Sequence, residues 1–263
     1  MKFEEIRNKV DGIPYIMSEM AKDLYHFVIE NKPIHCLELG FAHGASSCYI
    51  AAALDEIGNG QLTSVDLISG LSWQKPSIED LMEKTGLTEW VTIQREHTGY
   101  NWFLKKKIME NSKNNACTPI YDLCFIDGPK NWTIDSAAFF LVDKLLKPGG
   151  WIVFDDLQWT YKKKIDKGKT KSDGISLLEL GPDEIVQPHV ELIFQLLVMQ
   201  HPGYSNFLVK DNWWAWAQKV PEGKKDVTFE NSKEYLARLE SWETKFNRRH
   251  RRPFEPFPEK EGD

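Results

Sequence analysis

Five short apolar runs, "PIHCLEL", "GQLTSVDL", "WVTIQ", "YDLCFID" and "WIVFDD", alternate with segments of helical periodicity. No other feature constrains the fold as tightly. A strand that is apolar nearly throughout must be covered on both faces, and parallel neighbours need a crossover, usually a helix, between them. Right-handed crossovers leave few topologies, chiefly a Rossmann-like, doubly wound α/β sheet. Farther on, "YSNFLVKDNWWAWAQK" reads as two strands around the tight turn "KDN", an antiparallel hairpin ending an otherwise parallel sheet. The expectation is a mostly parallel, seven-stranded sheet with an antiparallel C-terminal hairpin strand.

The intervening segments carry their own boundaries. Between Pro14 and Asn31, apolar residues recur at helical spacing (Ile16, Met20, Leu24, Phe27, Val28). Gly44 opens "GASSCYIAAALDEIG", a helix of small residues that stops at Gly58, and Ser77 caps "SIEDLMEKTG". "TIDSAAFFLVDKLL" closes at "KPGG", and "ELIFQLLVMQ" is a later helix. The chain divides into an N-terminal helical segment (1–32), a sheet-bearing domain (33–220), and a C-terminal helix from about Ser232 to Asn247 with a basic, Pro-rich tail (221–263).

A net charge of -6 gives no global footprint for nucleic acid. The four cysteines lack CxxC spacing, which argues against a zinc site or a disulfide framework. The start, "MKFEEIRNKV", has no apolar signal core, and no apolar run approaches the ~18 residues of a membrane span. The expected location is the cytoplasm, with neither membrane nor nucleic acid as partner.

In an open parallel sheet, ligands collect at the carboxyl ends of the strands. The first strand ends in "ELGFAHGAS", where Gly40 permits a sharp turn and Gly44 a close backbone approach at a helix start. Two glycines do not meet GxGxxG, which counts against a nicotinamide or flavin ligand. Glu38 would repel a pyrophosphate but suits a cationic or zwitterionic ligand. The second strand ends in "SVDL", placing Asp66 about twenty residues beyond the loop, where a carboxylate can accept both ribose hydroxyls.

Together, "LELGFAHGASS", "SVDL", "YDLCFIDG" and "LLKPGGWIVFDD" resemble the successive motifs of class I S-adenosylmethionine-dependent methyltransferases, from about Pro33 to Asp156. The hairpin extends the likeness to about Lys219. The resemblance implies that Glu38, the Gly40–Gly44 backbone and Ser46 hold the methionine part of S-adenosylmethionine, that Asp66 holds the ribose, and that Asp127 borders the donor. "FIDGPKNW" and "FDDLQW" further resemble the acidic segments of catechol-type, divalent-metal-dependent O-methyltransferases. That likeness implies Asp127, Asp155 and Asp156 as ligands for Mg²⁺, with Lys130 as base and Asp127 beside it in catalysis.

Chemistry supports the same grouping. If the fourth and fifth strands are neighbours, their ends bring three carboxylates into one small volume, where each raises the others' pKa. A hard cation with oxygen ligands resolves that conflict. The implied activity is methylation of a hydroxyl on a small molecule, a secondary metabolite or sugar. Two alternatives stay open: a metal-independent N- or O-methyltransferase with Asp127 or Asp155 as base, and a non-catalytic partner subunit that binds the cofactor.

Other residues have a plainer default. His43 faces either the methionine part or solvent, and His97, Thr98 and Tyr100 follow the third strand, where this family often contacts adenine. Gln158 and Trp159 could wall a substrate pocket, whereas Trp213, Trp214 and Trp216 read as packing in the hairpin. The lysine-rich segment 162–171 reads as a hydrated connection, with an anionic substrate as a second reading. The "RRHRR" tail reads as an arm used in dimerisation, which would make a homodimer.

Overall fold

The five apolar runs become β1 (His35–Leu39), β2 (Gln61–Leu67), β3 (Val91–Glu96), β4 (Tyr121–Ile126) and β5 (Leu146–Phe154). They pair in parallel in the spatial order β3-β2-β1-β4-β5. The hairpin strands, β6 (Tyr204–Lys210) and β7 (Trp214–Lys219), complete the expected seven. β7 inserts between β5 and β6 and runs antiparallel to both. Its turn is made by Asp211 and Asn212 at φ 52° and 56°, a left-handed conformation that these two residue types tolerate. An eighth strand, β8 (Val227–Glu230), adds parallel to β6 at the edge. The computed structural model describes residues 1–220 and 227–230. The helix expected from Ser232 and the basic tail lie outside the described residues.

Two apolar cores lie on opposite faces of the sheet. One is built with α1 (Phe3–Lys9), α2 (Ser18–Asn31), α3 (Ala45–Ile57) and α4 (Ile78–Thr85). The other is built with α5 (Tyr100–Glu110), α6 (Trp132–Leu145) and α7 (His189–Ile193). The periodic stripe of α2 buries Ala21, Leu24, Tyr25 and Val28, and each large apolar side chain so buried contributes about 1.5–3 kcal/mol. From Ala45 to Leu54, every residue of α3 is buried. A helix covered all round needs small side chains where it meets the sheet on one side and α2 on the other. Ser77 starts α4 with a reciprocal cap: its hydroxyl accepts from the Asp80 amide at 3.2 Å, and the Asp80 carboxylate accepts from the Ser77 amide at 2.9 Å.

Two segments depart from the sequence reading. The helix expected over "ELIFQLLVMQ" starts earlier, at His189, and widens after Ile193 into a π turn over Phe194–Val198. The lysine-rich segment is folded, with a short helix at Lys162–Ile165 and a tight hairpin pairing Lys171–Ser172 with Ile175–Ser176. Among the described residues, no helix is long and apolar enough to cross a membrane.

Candidate functional site

Because Ile126 of β4 pairs with Phe154 of β5, the residues that follow the two strands emerge side by side. The Asp127 amide donates to Leu39 O at 2.9 Å and the Asp155 amide to Ile126 O at 3.0 Å, which fixes both acids to the sheet. Asp127, Asp155 and Asp156 each offer an oxygen within 4.8 Å of the others. Lys130 reaches into the same space. Its Nζ lies 2.9 Å from Asp127 Oδ1 and 3.1 Å from Asp156 Oδ2.

Burial dominates the electrostatics here. It pushes the Asp127 carboxyl well above the usual range; Lys130 opposes that, while Asp155 and Asp156 add to it. Asp155 is pushed up to about 7 by burial and then by Asp156, against the pull of Lys130. For Lys130, burial disfavours the ammonium, but the charges of Asp127 and Asp156 outweigh it and hold the amine well above its ordinary value. Trp214 is buried, as hairpin packing requires, and its indole N–H has no hydrogen-bond partner among the described residues.

On the β1–β2 side, Gly40 and Gly44 adopt φ of 91° and 92°. At Gly44 an added Cβ would lie 2.5 Å from Ile78 Cγ1 of α4, so only glycine lets the loop pack under that helix. Glu38 is turned away from solvent. It is wholly buried, and the hydroxyls of Ser46, Ser47 and Ser64 all donate to its carboxylate. A desolvated carboxylate needs such donors, and Ser46, expected at the methionine part, is one of them. Asp66 is half-buried and held by local donors: one oxygen accepts from the Ala42 amide at 2.8 Å, the Phe41 amide at 3.2 Å and Gln74 Nε2 at 3.2 Å, and the other from the Leu67 amide at 2.6 Å.

His43 is buried, hydrogen-bonded to Pro76 O at 2.8 Å and stacked on Tyr15. His97 and Thr98 stand exposed beyond β3, whereas Tyr100 is buried and donates to Asp135. Gln158 carries a buried side-chain amide without a hydrogen-bond partner among the described residues, and Trp159 packs edge-on against Tyr161. Arg95, unnoticed in the sequence, lies over the Phe41 ring at 5.0 Å and bonds Gln74 Oε1 at 2.7 Å. It closes a chain of contacts from the glycine loop through Asp66 to β3.

Residues 37–157 match the family described as "Methyltransferase domain". The chain carries a methyltransferase domain. Its strand order, with the antiparallel β7, is the one that the resemblance to class I, S-adenosylmethionine-dependent methyltransferases implies. No curated protein matches this methyltransferase in sequence. Solved structures share its fold. An O-methyltransferase from Bacillus cereus in complex with SAH is 19% identical, with 82% of this chain and 90% of that one covered at a TM-score of 0.53. TomG from Streptomyces achromogenes, an O-methyltransferase involved in tomaymycin synthesis and solved with SAM, is 17% identical over 83% and 88% at 0.53. The SAH-bound methyltransferase PaMTH1 from Podospora anserina is 13% identical over 83% and 87% at 0.55. At such identities the likeness speaks for the fold alone.

Proposed function

We propose that this methyltransferase moves the methyl group of S-adenosylmethionine to a hydroxyl of a small molecule, a secondary metabolite or sugar. The observation that carries the reading is Lys130: a half-buried ammonium bridging two acids at the end of β4, beside the strand whose following loop abuts Asp127 at Gly40. The O-methyltransferases among the structural neighbours support a hydroxyl as acceptor.

Three carboxylates whose oxygens lie within 4.8 Å suit a hard divalent cation such as Mg²⁺. Asp127, Asp155 and Asp156 would hold it, and when bound it would lower the pKa of the acceptor hydroxyl as a Lewis acid. With the acids alone around it, Lys130 stays protonated. Its base role requires their charge to be neutralised, after which Nζ would take the acceptor proton. The rest of the rate would come from holding the acceptor oxygen in line with the sulfonium. The exposed lysines of segment 162–171 would favour an anionic acceptor.

A second reading is metal-independent, with Asp127 or Asp155 as base. The Asp155 carboxyl at about 7 and the existing Lys130 bridge favour it. Methyl transfer to hydroxylated acceptors, assayed with EDTA and after Mg²⁺ is restored, separates the two. Loss and recovery support the metal reading; full activity in EDTA selects the second.

A further inference from the structure

Lys130 is held in a left-handed conformation, φ 58°, which a non-glycine residue keeps only when its surroundings over-determine it. The surroundings here come from three directions, and none was assigned a role in the reaction. Before Lys130, the carbonyl of Pro129 accepts from the Tyr161 hydroxyl at 3.0 Å. After it, the Asn131 amide donates to Asp135 Oδ2 at 2.8 Å, and the Trp132 amide donates to His189 Nδ1 at 3.0 Å. His189 Nε2 faces Glu184 O at 2.7 Å, so its N–H donates there and leaves Nδ1 free to accept. Tyr100 donates to the other oxygen of Asp135. Gly128 sits under this pair so closely that a Cβ there would be 2.1 Å from the Tyr100 hydroxyl.

Asp135, Tyr161 and His189 are 1%, 0% and 3% exposed. A buried carboxylate and a buried imidazole are costly merely to fill space. Each instead satisfies a backbone group flanking Lys130. We propose that Asp135, Tyr161 and His189 are positioning residues that lock the Asp127–Trp132 loop so that Lys130 addresses the acceptor. The role rests on the methyl-transfer reading above, but the lock itself is a property of the fold.

The test combines hydrogen exchange with kinetics on the full chain. Asp135→Ala and Tyr161→Phe are expected to raise amide exchange in residues 130–134 at least tenfold. They should lower kcat about ten- to hundredfold, the scale of an ångström misplacement, with S-adenosylmethionine affinity within twofold of wild type. Tyr25→Phe, which removes a buried hydroxyl contact far from the site, should change neither readout. Asp135→Asn keeps an acceptor for the Asn131 amide and should restore protection and most of kcat. Unchanged exchange in both loosening variants, or a kcat loss no larger than in Tyr25→Phe, overturns the proposal. A wild-type chain without transferase activity would instead overturn the function proposed above, leaving the exchange measurement to decide this one.

Discussion

A Cβ built on Gly40 would lie 2.1 Å from the carbonyl oxygen of Asp127, so the glycine loop after β1 and the acid-bearing loop after β4 meet backbone to backbone. Gly40 also sits at φ 91°, where any other residue is strained. Gly40→Ala must therefore separate the two loops or distort both. The expected result is a loss of roughly 2–4 kcal/mol in urea unfolding and at least tenfold weaker S-adenosylmethionine binding by calorimetry. Near-wild-type stability with normal donor binding would show that the loops do not depend on this contact.

Lys130 Nζ lies 2.9 Å from Asp127 and 3.1 Å from Asp156, two of the three acids proposed to hold Mg²⁺. Its ammonium competes for Asp127 and Asp156, so Lys130→Met should tighten Mg²⁺ binding about tenfold or more by calorimetry, since charges a few ångströms apart interact strongly in a buried site. The same variant should lose about 10²–10⁴ in kcat, the usual contribution of a general base. Mg²⁺ affinity that stays level or weakens would show that Lys130 does not compete with a cation for these acids.

The features legible in the sequence were those written locally. Apolar runs gave the strands and "KDN" the hairpin turn; Ser77 gave the cap, and acids at strand ends gave the cluster. What was not legible depends on partners distant in the chain. Tyr100 and Asp135 are 35 residues apart, and neither flanking pattern announces the other. Glu38 was expected to meet a ligand because the motif places an acid there, but periodicity says only that it lies at a buried strand end. That three serine hydroxyls converge on it follows from how α3 and β2 pack against β1.

The burial of Glu38 separates its two plausible replacements. Glu38→Ala would leave three hydroxyls facing a cavity and should cost about 3 kcal/mol or more. Glu38→Gln keeps one acceptor and offers donors to hydroxyls that can also accept, so about 1 kcal/mol is expected in urea unfolding. Because the carboxylate is shut away from solvent among serine hydroxyls, the glutamine variant should bind the methyl donor within about threefold of wild type. A loss of thirtyfold or more would show that Glu38 turns to the donor when it binds.

Asp135 gives stability a pH dependence of definite sign. Burial pushes its carboxyl up to about 6, although the Tyr100 hydroxyl, the Asn131 amide and Lys130 all favour ionisation. An unfolded aspartate titrates near 3.9. Between these values the folded chain binds more protons than the unfolded one, so this group's contribution falls as pH rises from about 4 to about 6 and is level above. A shift of about two pH units corresponds to roughly 3 kcal/mol. Asp135→Asn has no proton to bind, so the difference in unfolding free energy between wild type and variant isolates the effect from other titrating groups. That difference should favour wild type most near pH 4, move against it by roughly 2–3 kcal/mol by pH 6.5, and stay constant to pH 8. A difference that is flat across the whole range would mean that the hydrogen bonds to Tyr100 and Asn131 fully offset the burial of the charge.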